Sequence, residues 1–98
     1  NVGKFGVSVV VALNRFSSDT DGEVEAALNL SRAAGAFDAV ISDVHANGGA
    51  GGAALADAVV RACDDAPAKF NTLYADDIPV TEKIATVCQE IYRADGVN

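Results

Sequence analysis

Two short loops concentrate the side chains of this sequence that could hold a ligand. Asn14-Arg15-Phe16-Ser17 follows the apolar run Val7-Ser8-Val9-Val10-Val11-Ala12-Leu13, and Asp43-Val44-His45-Ala46-Asn47-Gly48-Gly49 follows Ala39-Val40-Ile41-Ser42. Phe16 and His45 are flat, and two flat side chains facing across a slot suit a planar heteroaromatic ligand, which gains by stacking. Each also has a plainer reading, Phe16 as a loop aromatic tucked into the core and His45 as an exposed loop histidine. The glycine-rich stretch Asn47-Gly48-Gly49-Ala50-Gly51-Gly52 could present backbone N–H groups to an anion at the start of the next helix. The reading the residues favour is a flexible turn, or one that lets backbone approach a ligand closely.

Other chemistry is excluded by residue type. The glycine stretch lacks the Gly-x-x-x-x-Gly-Lys-Ser/Thr pattern, so no Lys reaches a phosphate. Asn14-Arg15 is followed by Ser17, where a guanine-reading Asn-Lys-x-Asp element needs Asp. Ser42, Asp43 and His45 are sequence neighbours, whereas triads are built from elements that converge in space. No metal-ligand spacing and no acid–base pair is visible.

The elements that must position the two loops are legible in outline. Val7 to Leu13 is β-branched with almost no polar break, which predicts a strand buried on both faces of a parallel sheet. Gly6 before it ends a preceding helix. Thr20 and Glu23 form a capping box that opens a helix with Val24, Ala27, Leu28 and Ser31 on one stripe and Gly35 as its stop. Ala39 to Ser42 is a second strand. A second helix follows the glycines, with Leu55, Val59, Ala62 and Cys63 on its inner face and Asp57 and Arg61 paired outside. Phe70 to Tyr74 reads as an extended segment. Asp76-Asp77 and Pro79 then open a last helix, whose Val80, Ile84, Val87 and Ile91 recur on one face until Gly96.

The order strand, helix, strand, helix, extended segment, helix predicts an α/β fold with a mainly parallel sheet and flanking helices. In such sheets ligands bind beyond the carboxyl ends of the strands, where both loops lie. Two convincing strands make a poor sheet. Residues 1–98 therefore read as a single α/β segment, internal to a larger polypeptide, and nothing resembles a linker or repeat within them.

Composition narrows the partners. Acidic residues outnumber basic ones 14 to 7, for a net charge of −7, which argues against nucleic acid and anionic lipid. The longest strongly apolar run, Val9 to Leu13, is too short to cross a bilayer. Cys63 and Cys88 fit no metal spacing and read as small apolar residues on helix faces, which favours a reduced, cytoplasmic setting. An organellar address could lie upstream of Asn1.

These residues closely resemble the formate–tetrahydrofolate ligase family, also called formyltetrahydrofolate synthetases. The family's Phe-Gly-Val-Pro-Val-Val-Val-Ala-Ile-Asn-Arg-Phe stretch is similar to Phe5 through Phe16, and its Thr-Asp-Thr-Asp/Glu continuation to Ser18-Asp19-Thr20-Asp21. Ala34-Gly35-Ala36-Phe37-Asp38-Ala39-Val40 resembles a further signature, and His45-Ala46-Asn47-Gly48-Gly49 stands for the Trp-Ala-Lys-Gly-Gly loop. Phe70-Asn71-Thr72-Leu73-Tyr74, Glu82-Lys83-Ile84 and Ile91 to Val97 follow in the family's order. The departures are His45 for Trp, Asn47 for Lys, Ser8 and Ser17 for Pro, and Arg93 for Gly.

The resemblance implies a segment of a P-loop-type ligase that joins formate to tetrahydrofolate. Its substrates are ATP (with Mg), formate and tetrahydrofolate, its intermediate formyl phosphate and its product 10-formyltetrahydrofolate. It further implies that Phe16 and His45 sandwich the folate ring while Ile41 and Ser17 shape the wall. The family's nucleotide loop lies upstream of the matching stretch, so residues 1–98 alone are expected to be inactive, with no catalytic residue and no metal ligand among them. The parent is expected to be a homo-oligomer. The alternative from another class is a degenerate folate-binding module without chemistry, and the plainest is a structural α/β domain with neither role.

Overall fold

β-Branched residues flanked by helices pair in parallel. In the computed structural model, which describes residues 1–98, β1 (Val10–Asn14) lies beside β2 (Asp38–Ser42). The register runs from Val10 opposite Asp38 to Asn14 opposite Ser42. Helix α1 (Asp21–Ala33) makes the crossover between them. A single turn, α2 (Val44–Asn47), and a 3-10 helix (Gly48–Gly52) then lead into α3 (Ala53–Asp65). Both α1 and α3 pack on both strands. This α/β unit spans Ser8–Ala68; a second unit comprises Asn1–Val7 and Lys69–Asn98.

The capping box that opens α1 is complete. Thr20 accepts from the Glu23 N–H at 3.3 Å, and Glu23 Oε2 accepts from the Thr20 N–H at 2.9 Å. The Thr20 N–H, and after it the Thr20 hydroxyl donating to Glu23 Oε2 at 2.8 Å, hold the Glu23 carboxyl below its ordinary pKa. Val24 is buried, with Ala27, Leu28 and Ser31 half-buried below it, and the helix ends before Gly35 at φ 99°.

The core is small-residue packing: Val24, Ala39, Ala58 and Ala62 are buried, with Ser42 at the sheet end. This corrects the inner face of α3. Val59 and Cys63 are exposed, and the face turns onto Leu55, Ala58 and Ala62. Alanine lets a helix approach β2 closely, so the smallest side chains outcompete the more hydrophobic ones for the contact.

Arg61 is corrected as well. It leaves Asp57 and donates to Asp38 Oδ2 at 2.6 Å, with its guanidinium 6.0 Å from the Phe37 ring centre. Arg32 donates to Asp38 Oδ1 at 3.2 Å and to the Ala39 carbonyl at 2.6 Å. The first residue of β2 is thus tied to both helices. The Arg61 bond, the Ala39 N–H and Arg32 together bring the Asp38 carboxyl down to about 2.

β1 departs from its expectation too. It begins at Val10, and Ala12 is exposed, because a strand with one paired neighbour is covered less than a central one.

In the second unit, a 3-10 helix (Val2–Phe5) ends at Gly6, which takes φ 73°. Lys69 and Asn71 donate to the Gly6 and Phe5 carbonyls at 2.8 and 2.9 Å, and the Phe5 and Phe70 rings stack with centres 6.5 Å apart. Residues 70–74 do not continue as a strand. The chain bends at Leu73 and Tyr74, where Thr72 Oγ1 donates to the Tyr74 carbonyl.

Helix α4 (Val80–Glu90) opens at Pro79 with no side-chain cap. Asp76-Asp77 therefore does not cap it; the Asp76 carbonyl instead accepts from Lys83 Nζ at 2.6 Å. The helix stops before Ile91, well ahead of Gly96, and Arg93 takes φ 56°. Its predicted apolar stripe is largely open, Val80 at 70 % and Ile84 at 50 % exposure. Lys4 binds the far end of α4 through the Glu90 carboxylate at 2.8 Å. No helix is long and apolar enough to cross a membrane.

Candidate functional site

Parallel pairing carries the C-terminal ends of β1 and β2 to the same side, since Asn14 and Ser42 are register partners. The segments leaving those ends line one cleft of about 530 Å³, built from residues 14–17 and 42–46. Small-molecule sites usually fall between about 300 and 1,000 Å³. An adjoining recess of about 250 Å³ adds Asn47 to the lining.

A tight turn presents Phe16. Asp19 donates its N–H to the Phe16 carbonyl at 3.1 Å, and Asp19 Oδ2 accepts from the Phe16 N–H at 2.8 Å. The ring is not tucked into the core: Phe16 is 68 % exposed. An aromatic held out by a locally satisfied turn leaves its apolar face available. Beside it, Arg15 donates to Asp21 Oδ1 at 2.7 Å, so the one cation of the cleft is drawn toward the first turn of α1. This pair is exposed and adds little stability.

The opposite lining is one helical turn. The Asp43 carbonyl accepts from Ala46 and Asn47 N–H groups at 3.1 and 2.9 Å, which lifts Val44 and His45 to the surface. Asp43 donates its own N–H to the Gly51 carbonyl at 3.1 Å. The glycine stretch is accordingly wound as a 3-10 helix and packs its backbone against that of Asp43, so its close approach is to the chain itself.

Of the residues singled out in the sequence, Phe16, Ser17 and His45 line the same cleft. Ile41 does not: it sits one residue inside β2, half-buried, in register with Leu13. The cleft also takes in Arg15 and Asp43, to which no sequence pattern assigns a role. Asp19, three residues after Phe16, carried a turn signal for its role, whereas nothing in the sequence tied Gly51 to Asp43. No three His, Cys, Asp or Glu side chains gather in a way that could hold a metal ion.

Comparison with known proteins joins this geometry to a family. The family described as formate–tetrahydrofolate ligase matches residues 1–98. The cytoplasmic C-1-tetrahydrofolate synthase of Schizosaccharomyces pombe is 42% identical over 97 residues, which is 99% of this chain and 10% of that relative. The chain therefore spans about a tenth of the length of the relative it matches. With the match running through both cleft loops and on to the last helix, the chain belongs to the formate–tetrahydrofolate ligase family.

Proposed function

We propose that this chain is an internal segment of a cytoplasmic, ATP-dependent ligase of one-carbon metabolism and forms one wall of its tetrahydrofolate pocket. The observation that carries the reading is the single cleft lined by Phe16 and His45 from the ends of two parallel strands. Phe16 and His45 stack on the pterin, Ser17 shapes the rim, and Ile41 backs the wall from β2. Family membership supports formate, ATP and tetrahydrofolate as the substrates of the full polypeptide. Residues 1–98 carry no phosphate-binding Gly-x-x-x-x-Gly-Lys-Ser/Thr loop, so ATP with its Mg is held by other parts of that polypeptide and the segment alone does not turn over.

The test is tetrahydrofolate binding by the full-length polypeptide. Phe16→Ala weakens it by about 1–3 kcal/mol, the contribution of a buried aromatic contact. Unchanged affinity removes Phe16 from the pocket.

A second reading is favoured by His45 and Asn47, which stand where the resembling family carries Trp and Lys. It is a folate-binding module without chemistry. Incubating the full-length polypeptide with formate, ATP and tetrahydrofolate separates the two, because only the ligase forms 10-formyltetrahydrofolate.

A further inference from the structure

One polar group in the cleft is placed to read the edge of a ligand. Asp43 is the only acidic residue among those lining it, and it is half-buried. Its main chain is committed on both sides, N–H to Gly51 and carbonyl to Ala46 and Asn47. Its carboxylate is not: Asp43 stands at the N-cap of α2, where an Asp side chain usually caps, yet it makes no capping bond. Arg15, which lines the same cleft, is bonded to Asp21. A carboxylate held on a fixed backbone, partly withdrawn from water and without a side-chain partner, gains most from two N–H donors arriving side by side.

We propose that Asp43 is a specificity-determining residue of this cleft. Its carboxylate accepts, as a bidentate pair, the ring N–H and exocyclic amine of a 2-amino-pyrimidin-4-one ring lying against Phe16 and His45. This rests on the folate reading and deepens it, since it assigns which edge of the bicyclic ring enters. Stacking groups tolerate any flat ligand, whereas a carboxylate left unpaired by the wrong ring rejects it.

The experiment uses the full-length polypeptide, two ligands and two variants. Tetrahydrofolate is compared with its 2-desamino-2-methyl analogue, which keeps the stacking surface and the ring N–H but loses the exocyclic amine, so the bidentate pair is reduced to one donor. Asp43→Asn, close in shape to the native residue, is expected to weaken tetrahydrofolate about 10- to 100-fold, the range for hydrogen bonds to a charged group. It should weaken the analogue clearly less than tetrahydrofolate, because only one of the two N–H donors is left to lose, while Phe16→Ala weakens both ligands alike. Equal losses for both ligands in Asp43→Asn overturn the proposal and reduce Asp43 to a residue that holds the loop. No loss for either ligand in Asp43→Asn, with Phe16→Ala still impaired, also overturns it and leaves the folate reading standing. Unimpaired binding in Phe16→Ala removes Phe16 from the pocket, and if Asp43→Asn is also unimpaired for both ligands, the folate reading of this cleft falls together with the proposal.

Discussion

The N–H of Asp43 reaches the carbonyl of Gly51 at 3.1 Å, and the approach depends on the missing side chain of Gly51. A Cβ built there would overlap the Asp43 carbonyl and crowd the Val44 nitrogen, both of them backbone. The cleft wall and the start of α3 are thus locked together through a contact that only glycine permits. A flexible side chain could swing aside, but backbone in a one-turn helix cannot do so without moving His45.

Gly51→Ala should therefore displace the turn that carries Asp43 and His45. The expected cost is about 1–3 kcal/mol of stability, typical of overpacking, with weaker ligand binding. Gly49→Ala is the control, since a Cβ at Gly49 meets nothing within 4 Å and should stay within about 0.5 kcal/mol. Urea titration of both variants checks this. Equal stability for the two would show that the loop repacks at no cost.

Acid should loosen the tie between β2 and its two helices. Folding lowers the Asp38 carboxyl from its ordinary 3.8 to about 2, chiefly through Arg61. The unfolded chain therefore binds the proton more readily, and the stabilisation is complete above the unfolded pKa. It is lost as pH falls from about 3.8 through about 2. Asp38→Asn should remove that contribution and flatten the stability profile across this window. Urea midpoints measured at several pH values for both forms decide it; parallel profiles would mean that Asp38 is not differentially protonated on folding.

Thr20 offers a test of local design. Its hydroxyl and N–H both engage Glu23, and α1 is the crossover that sets β1 and β2 parallel. Thr20→Ala should cost about 1 kcal/mol, as loss of an N-cap commonly does. Thr20→Ser should keep most of the stability because the acceptor oxygen remains. If the Ser variant is as weak as Ala, the methyl group rather than the capping oxygen is what matters.

What could be read in advance followed the range of the interaction. The capping box and the Gly35 stop depend on residues a few positions apart, and they stand as expected. The strand pair followed from apolar runs around a helical stretch, and with it the prediction that both loops share one side. The face of α3 departs from the periodic expectation because hydrophobicity ranks Val59 and Cys63 above Ala58, while close approach to β2 selects for small size. The exposed stripe of α4 was invisible for a related reason: amphipathic spacing identifies an apolar face without saying whether anything covers it. Phe16, Ser17 and His45 were accessible through the rule that ligands bind at strand ends, whereas the Asp43–Gly51 bond joins residues that no local pattern connects.

Arg93 follows α4 in a conformation that disfavours its own side chain. Its φ of 56° lies in the left-handed region, where a residue with a Cβ is less stable by about 1–2 kcal/mol. The Ala94 N–H donates back to the Cys88 carbonyl at 3.1 Å, so this backward turn closes the helix end. Closures of this kind usually employ glycine. Gly is also what the resembling family carries at this position. Arg93→Gly should therefore raise stability by about 0.5–1 kcal/mol, the relief of strain being offset in part by the greater freedom of glycine in the unfolded chain. A thermal melt reads the change directly. A lower midpoint would mean that the Arg93 side chain makes a stabilising contact large enough to outweigh its backbone strain, and Arg93→Ala would then lose that contact as well while keeping the strain.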